Sequence, residues 1–142
     1  MKTTGFALPT VLISSVVLLL ILVTSVSATV AIRTGLQEQR YNEMARLAGE
    51  AGTAYAAACL KQSNGTVTWT SVNPLRPNTN CAGVVVPSAS AYVLEEGNVR
   101  TYFEVDPPTA NDVIIGQGSA EVLRESTGVA WRVWTSNVVT RI

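Results

Sequence analysis

Two cysteines, Cys59 and Cys81, and two close carboxylate sets, Glu95-Glu96 and Glu104 with Asp106, are the side chains of this chain best equipped for chemistry. Neighbouring carboxylates can do acid–base work when burial shifts a pKa, or bind calcium weakly through oxygen. Both sets stand beside sequence that reads as turn, which favours a solvated rim over a buried site. Two cysteines are too few for a common four-ligand metal site, the chain has no histidine, and no glycine-rich phosphate loop follows a strand. The expectation is therefore no enzyme, no metal and no cofactor. Nucleic acid has little to attract it: ten Lys plus Arg balance ten Asp plus Glu, so the chain lacks the positive field that phosphate binding exploits.

The element that must position everything else is apolar. Residues 3 to 32 contain no Asp, Glu, Lys or Arg, and from Val11 to Ile32 the only polar side chains are Ser and Thr hydroxyls. A hydroxyl on a helix can bond a carbonyl one turn back, so hydrocarbon tolerates it. A spanning helix needs about 20 apolar residues, and Phe6 to Ile32 at about 1.5 Å per residue would reach roughly 40 Å. Val and Ile are only moderate helix formers, but an unpaired amide in lipid costs several kcal/mol, so helix is predicted. A secretory signal peptide cut near Val26-Ser27-Ala28 is one alternative, although its usual apolar region is about 7 to 15 residues. A plain membrane anchor is another.

Lys2 and then Gly5-Phe6-Ala7-Leu8-Pro9, leading into the long apolar stretch, resemble the prepilin signal of type IV pilins and the related secretion-system and competence pseudopilins. The resemblance implies cleavage between Gly5 and Phe6 by a membrane prepilin peptidase, N-methylation of Phe6, and retention of the apolar helix on the mature protein. Leu8, Pro9 and Thr10 would then belong to the assembly end of the helix. Pro9 falls in its first turn, where a missing N–H is little loss. Thr10 departs from the family, most of which carries Glu at this fifth mature position to compensate a neighbour's amino terminus. A hydroxyl there implies either a minor or tip-initiating pilin or a lineage whose filament manages without that pair.

Past Arg33 the helical pattern continues. Tyr41, Met44, Ala48, Ala51, Tyr55 and Ala58 recur at three and four residues, giving one stripe expected to bury against a sheet. Arg46 and Glu50 form an i,i+4 pair worth a few tenths of a kcal/mol. Leu36, Tyr41 and Leu47 are candidate assembly contacts, since in pilins the helix just beyond the membrane packs against its neighbours. Gly49 and Gly52 each cost about 1 kcal/mol against Ala in a helix, which argues for close approach to another surface. Gly35 is expected to bend or melt the helix where lipid ends. Running to about Leu60, the element would be near 80 Å long.

From Lys61 the composition turns to strands and turns. Thr66–Val72 alternates as a short strand or extended loop, and prolines 74, 77 and 87 keep most of 73–88 irregular, with a brief pairing at Val84–Val86. Ala91–Glu95 and Val99–Val105 flank a hairpin turn containing Gly97. Asp112–Ile115, Ser119–Glu125 and Val129–Thr135 complete an antiparallel sheet of about four strands. Val129, Trp131 and Val133 share a face; Trp131 is expected in the core, while Trp134 is a candidate surface contact. With the domain outside the cytoplasm, where disulfides persist, a Cys59–Cys81 bridge is expected to tie the loop after the helix. Free thiols or a catalytic cysteine are the alternatives.

The sequence thus predicts an α+β, pilin-like fold: leader 1–5, transmembrane and filament-core helix 6–32, amphipathic helix 33–60, and an extracytoplasmic β-domain with its connecting loop over 61–142. The implied role is a structural subunit of a type IV pilus or related filament. It would be a single-pass membrane protein first and a cell-surface component after assembly. Its partners would be other pilin subunits, the prepilin peptidase and assembly machinery, and lipid before assembly. In a competence pilin, Arg124, Arg132 and Arg141 would be the residues to meet DNA. The competing role is a membrane-anchored binding or adhesion domain that does not polymerise.

Overall fold

The computed structural model describes residues 7–108 and 113–141, with side chains from residue 11 onward. Helix α1 runs Ala7–Gln62 and is followed by four strands: β1 Leu94–Glu96, β2 Val99–Val105, β3 Val113–Leu123 and β4 Ala130–Arg141. Two compact units divide the chain between Gln39 and Arg40. The long helix and four-stranded antiparallel sheet make this the α+β fold that the pattern predicts.

In the first unit every side chain from Val11 to Ile32 is exposed. Its hydroxyls bond backward as a lipid-compatible helix requires. Thr24 donates to the carbonyls of Leu20 (3.0 Å) and Ile21 (2.9 Å), Ser25 to Ile21 (2.7 Å), Ser27 to Val23 (2.9 Å) and Thr29 to Ser25 (2.9 Å). No hydroxyl hydrogen in that set is left without an acceptor, so the desolvation cost of a buried polar group is largely avoided. The helix continues through Gly35, where a bend or melt was expected.

The far end of α1 is set by local chemistry. Asn64 and Gly65 take left-handed backbone angles (φ 53° and 82°). The Gly65 amide reaches back to the Leu60 carbonyl at 2.8 Å, and the Ser63 amide to Cys59 at 3.0 Å. This is the geometry that closes a helix by satisfying its last carbonyls, two residues beyond the stop expected near Leu60.

The sheet order is β1-β2-β3-β4, all antiparallel. One sequence expectation is corrected, and one that left strand or loop open is decided. Ile115 and Ser119 belong to one unbroken strand, not two, because Gly116-Gln117-Gly118 stays paired with both β2 and β4. Thr66–Val72 forms no strand; it runs as a loop that drives Trp69 into the core.

The helix stripe is also corrected. The residues buried against the sheet are Ala45, Ala48, Gly49, Gly52, Thr53 and Ala56, about one position round from the expected set, and Ala58 is exposed. Size decides this. A Cβ added to Gly118 would lie 1.9 Å from the Ala45 carbonyl oxygen and 2.2 Å from the Gly49 nitrogen. One on Gly116 would lie 2.7 Å from the Gly49 carbonyl oxygen. Glycines of α1 and β3 therefore face each other so closely that backbone meets backbone. Phe103 fills the space above Gly52, where an added Cβ would meet its ring at 2.8 Å. The close approach inferred for Gly49 and Gly52 is thus to the chain's own sheet.

The loop between α1 and β1 is held at several points. Cys59 and Cys81 are joined by a disulfide across a separation of 22 residues. Leu75 exchanges two backbone hydrogen bonds with Val105 (3.1 and 2.9 Å), and the Tyr55 hydroxyl donates to the Thr79 carbonyl at 2.6 Å. Trp69 and Leu75 sit in one cluster with Ala56, Cys59, Phe103 and Ile114. The brief pairing expected at Val84–Val86 is a single bridge between Thr79 and Val85.

Candidate functional site

Two surfaces carry exposed large apolar side chains: the outside of the apolar helix and the outward face of the sheet. α1 is the candidate membrane span among the described residues, and its apolar window is buried nowhere. A helix apolar on all sides needs lipid or other helices around it. Gly5 and Phe6, the predicted processing pair, lie outside the described residues. Leu8, Pro9 and Thr10 belong to the backbone of α1, and their side chains lie outside the description.

The three candidate assembly contacts on the next turns divide. Leu36 and Leu47 are exposed. Tyr41 instead stacks on Trp134 of β4, with ring centroids 4.4 Å apart and planes at 26°, and the Arg132 guanidinium lies 5.0 Å from the Trp134 ring centre. Tyr41 therefore fastens the helix to its own sheet. Beside it, Arg46 is ion-paired to both Glu43 and Glu50 on the exposed helix surface, adding Glu43 to the pair read from sequence.

The carboxylate sets are divided between ion pairs and solvent. Glu95 pairs with Arg100 at 2.8 Å and Glu104 with Arg76 at 3.0 Å, while Glu96 and Asp106 are exposed. Among the described residues no cluster of three metal-ligating side chains occurs. An open cleft of about 530 Å³ beside the disulfide is lined by Tyr55, Gln62, Thr68 and Asn80 among others. It brings together hydroxyls and amides but no acid–base pair.

The outward sheet face holds one perturbed group. Tyr102 of β2 lies opposite Ser119 of β3. Burial pushes its phenol above the ordinary value of 10.0, and the hydrogen bond to Glu121 with the nearby carboxylates adds to the rise, against an opposing bond from Ser119. The folded state thus holds this proton more tightly than the unfolded chain does. Stability is unaffected below about pH 10 and falls as the pH rises through the folded value. An absorbance titration at alkaline pH is expected to show one late-ionising tyrosine that Tyr102→Phe removes. Equal ionisation of all tyrosines would contradict the assignment.

Trp131 corrects the core expectation. It is 58% exposed, while Trp134 takes the helix side of β4. The pairing runs Val122 with Arg132 and then Leu123 with Ala130, so Trp131 falls at a bulge with no opposite residue. Bulges re-aim the side chains around them. Val129 (64%) and Val133 (47%) on either side of it in the chain are exposed too, so three apolar side chains meet solvent where β4 begins. The alternation of the last hairpin was legible, but which face meets the helix was not.

Comparison with protein families, curated proteins and solved structures finds no match to this chain. What can be stated of its class is the architecture: an α+β protein whose long N-terminal helix has a membrane-compatible first half and a second half packed on a four-stranded antiparallel sheet.

Proposed function

We propose that this chain is a filament subunit of the type IV pilin or pseudopilin kind, stored in the membrane by α1, cleaved between Gly5 and Phe6, and assembled through that helix. The observation that carries the reading is the helix itself. Its 56 residues bury nothing over Val11–Ile32 yet are anchored to a sheet from Tyr41 onward. Exchange of lipid for neighbouring helices leaves those apolar side chains covered in both states, with work from a cytoplasmic assembly motor driving the transfer. Exposed Leu36 and Leu47 would extend the helix contacts beyond the membrane. Thr10 fits a minor or tip position, because no carboxylate is offered there to an earlier neighbour's amino terminus.

N-terminal sequencing and intact mass of protein from its native membrane test the processing step. The expected mature chain begins at methylated Phe6, and Gly5→Leu leaves the leader attached. An intact Met1, or a start near Thr29, sinks the proposal. The competing reading, an anchored binding domain that never polymerises, draws on the exposed Trp131 patch. Labelled subunits found along filaments or at their tips would favour assembly; labelled protein confined to the membrane would favour the anchored domain.

A further inference from the structure

The geometry points to a second membrane contact: the patch of Val129, Trp131 and Val133 at the start of β4 docks into the lipid interface while α1 is embedded. This rests on membrane insertion of α1, which the proposed function shares, and not on filament assembly. The chain enters the second unit at Arg40. Tyr41 meets Trp134, and further along α1 the Gly49 position meets Val138. Within this unit β4 therefore runs alongside α1 in the same sense, and its first residues lie at the end where the chain enters. The β1–β2 turn lies there too, with Gly97 and Asn98 lining a small cleft beside Arg40 and Tyr41.

The seven residues Arg33–Gln39 are all that separates this unit from the apolar stretch ending at Ile32. Even fully extended they reach no more than about 25 Å, so the entry end of the domain is tethered close to any bilayer that α1 crosses. At that end an indole and two valines stand in water. Tryptophan favours the headgroup level, where its ring is half in hydrocarbon and its N–H remains wet. Ile115 and Val139 form the other exposed apolar pair of the outward face, opposite each other at the far end of β3–β4. They lack this tether advantage and serve as an internal control.

The test uses the full chain reconstituted into phosphatidylcholine vesicles, with and without brominated acyl chains that quench nearby indoles. Carbonate extraction reports insertion of α1 independently. Trp131 is one of three tryptophans, so brominated lipid is expected to lower the emission by about one third, a response that Trp131→Phe abolishes. In that background Val139→Trp stays unquenched. Inserted protein with no Trp131 quenching overturns docking while leaving the membrane anchor standing; protein that fails to insert overturns both. Equal quenching at Val139→Trp overturns the localised contact. Protection of Trp131 from aqueous acrylamide that disappears on diluting protein in lipid assigns the patch to a second copy and also overturns it.

Discussion

Gly118→Ala is expected to destabilise the β-domain by about 3 kcal/mol or more, lowering its melting midpoint by roughly 10–20 °C. The added methyl would lie 1.9 Å from the Ala45 carbonyl oxygen and 2.2 Å from the Gly49 nitrogen. Both are backbone atoms of α1, so no rotamer change can relieve the overlap and helix and sheet must move apart. Gly49→Ala is expected to be milder, because its nearest contact is a Val138 methyl at 2.9 Å that can shift. Gly35→Ala, which meets nothing within 4 Å, should leave the domain's melting unchanged. Thermal unfolding of the full chain in detergent, followed by near-ultraviolet circular dichroism, checks the order. Equal effects at Gly118 and Gly35 would mean that the close helix–sheet crossing is wrong.

Opening the Cys59–Cys81 bridge is expected to cost about 3 kcal/mol in the chain-entropy picture for a loop of this length. The loop would not detach in the native state, since Trp69 and Leu75 remain in the core and Leu75 still pairs with Val105. Reduced protein should therefore keep its folded tryptophan emission at ambient temperature and unfold at markedly lower denaturant concentration. A Cys59→Ala/Cys81→Ala variant should show the same shift without reductant. Because Cys59 is fully buried, the alanine also leaves a small void, and the variant is expected to lose slightly more than reduction does. Identical midpoints for oxidised and reduced chains would show that the apolar anchors alone hold the loop.

These two predictions sit on opposite sides of what the amino-acid order reveals. The cysteines could be paired from their number and the expected compartment, and the helix could be followed almost to its end from spacing. The β1–β2 turn was readable because Gly97 adopts a left-handed angle (φ 59°), a local need that a glycine announces. Gly116 and Gly118 sent the opposite local signal. They look like a break between two strands, yet they belong to one strand because the helix crosses over them.

The assembly candidates divide in the same way. Nothing in the sequence around Tyr41 indicates that its ring is taken by Trp134, more than ninety residues later. Period and composition placed it equally well on a face toward other subunits. Trp131 and Trp134 were assigned to opposite faces, but choosing the inner one required knowing which strand surface α1 meets and where the bulge falls. A one-residue change of register exchanges the faces of a strand, so that choice lay beyond any local pattern.

By itself, then, the sequence determined the charge-free run that suits lipid, the continuation of the helix beyond it and the antiparallel sheet that follows. Those are properties of neighbouring residues, set by backbone periodicity, solvation and composition. Only the tertiary structure decided that the seam of α1 follows Ala45, Gly49 and Gly52, that β3 is continuous, and that Tyr41 stacks on Trp134 while Trp131 faces outward. Those outcomes depend on how closely two distant backbones can approach, and that distance is set jointly by small side chains on both partners.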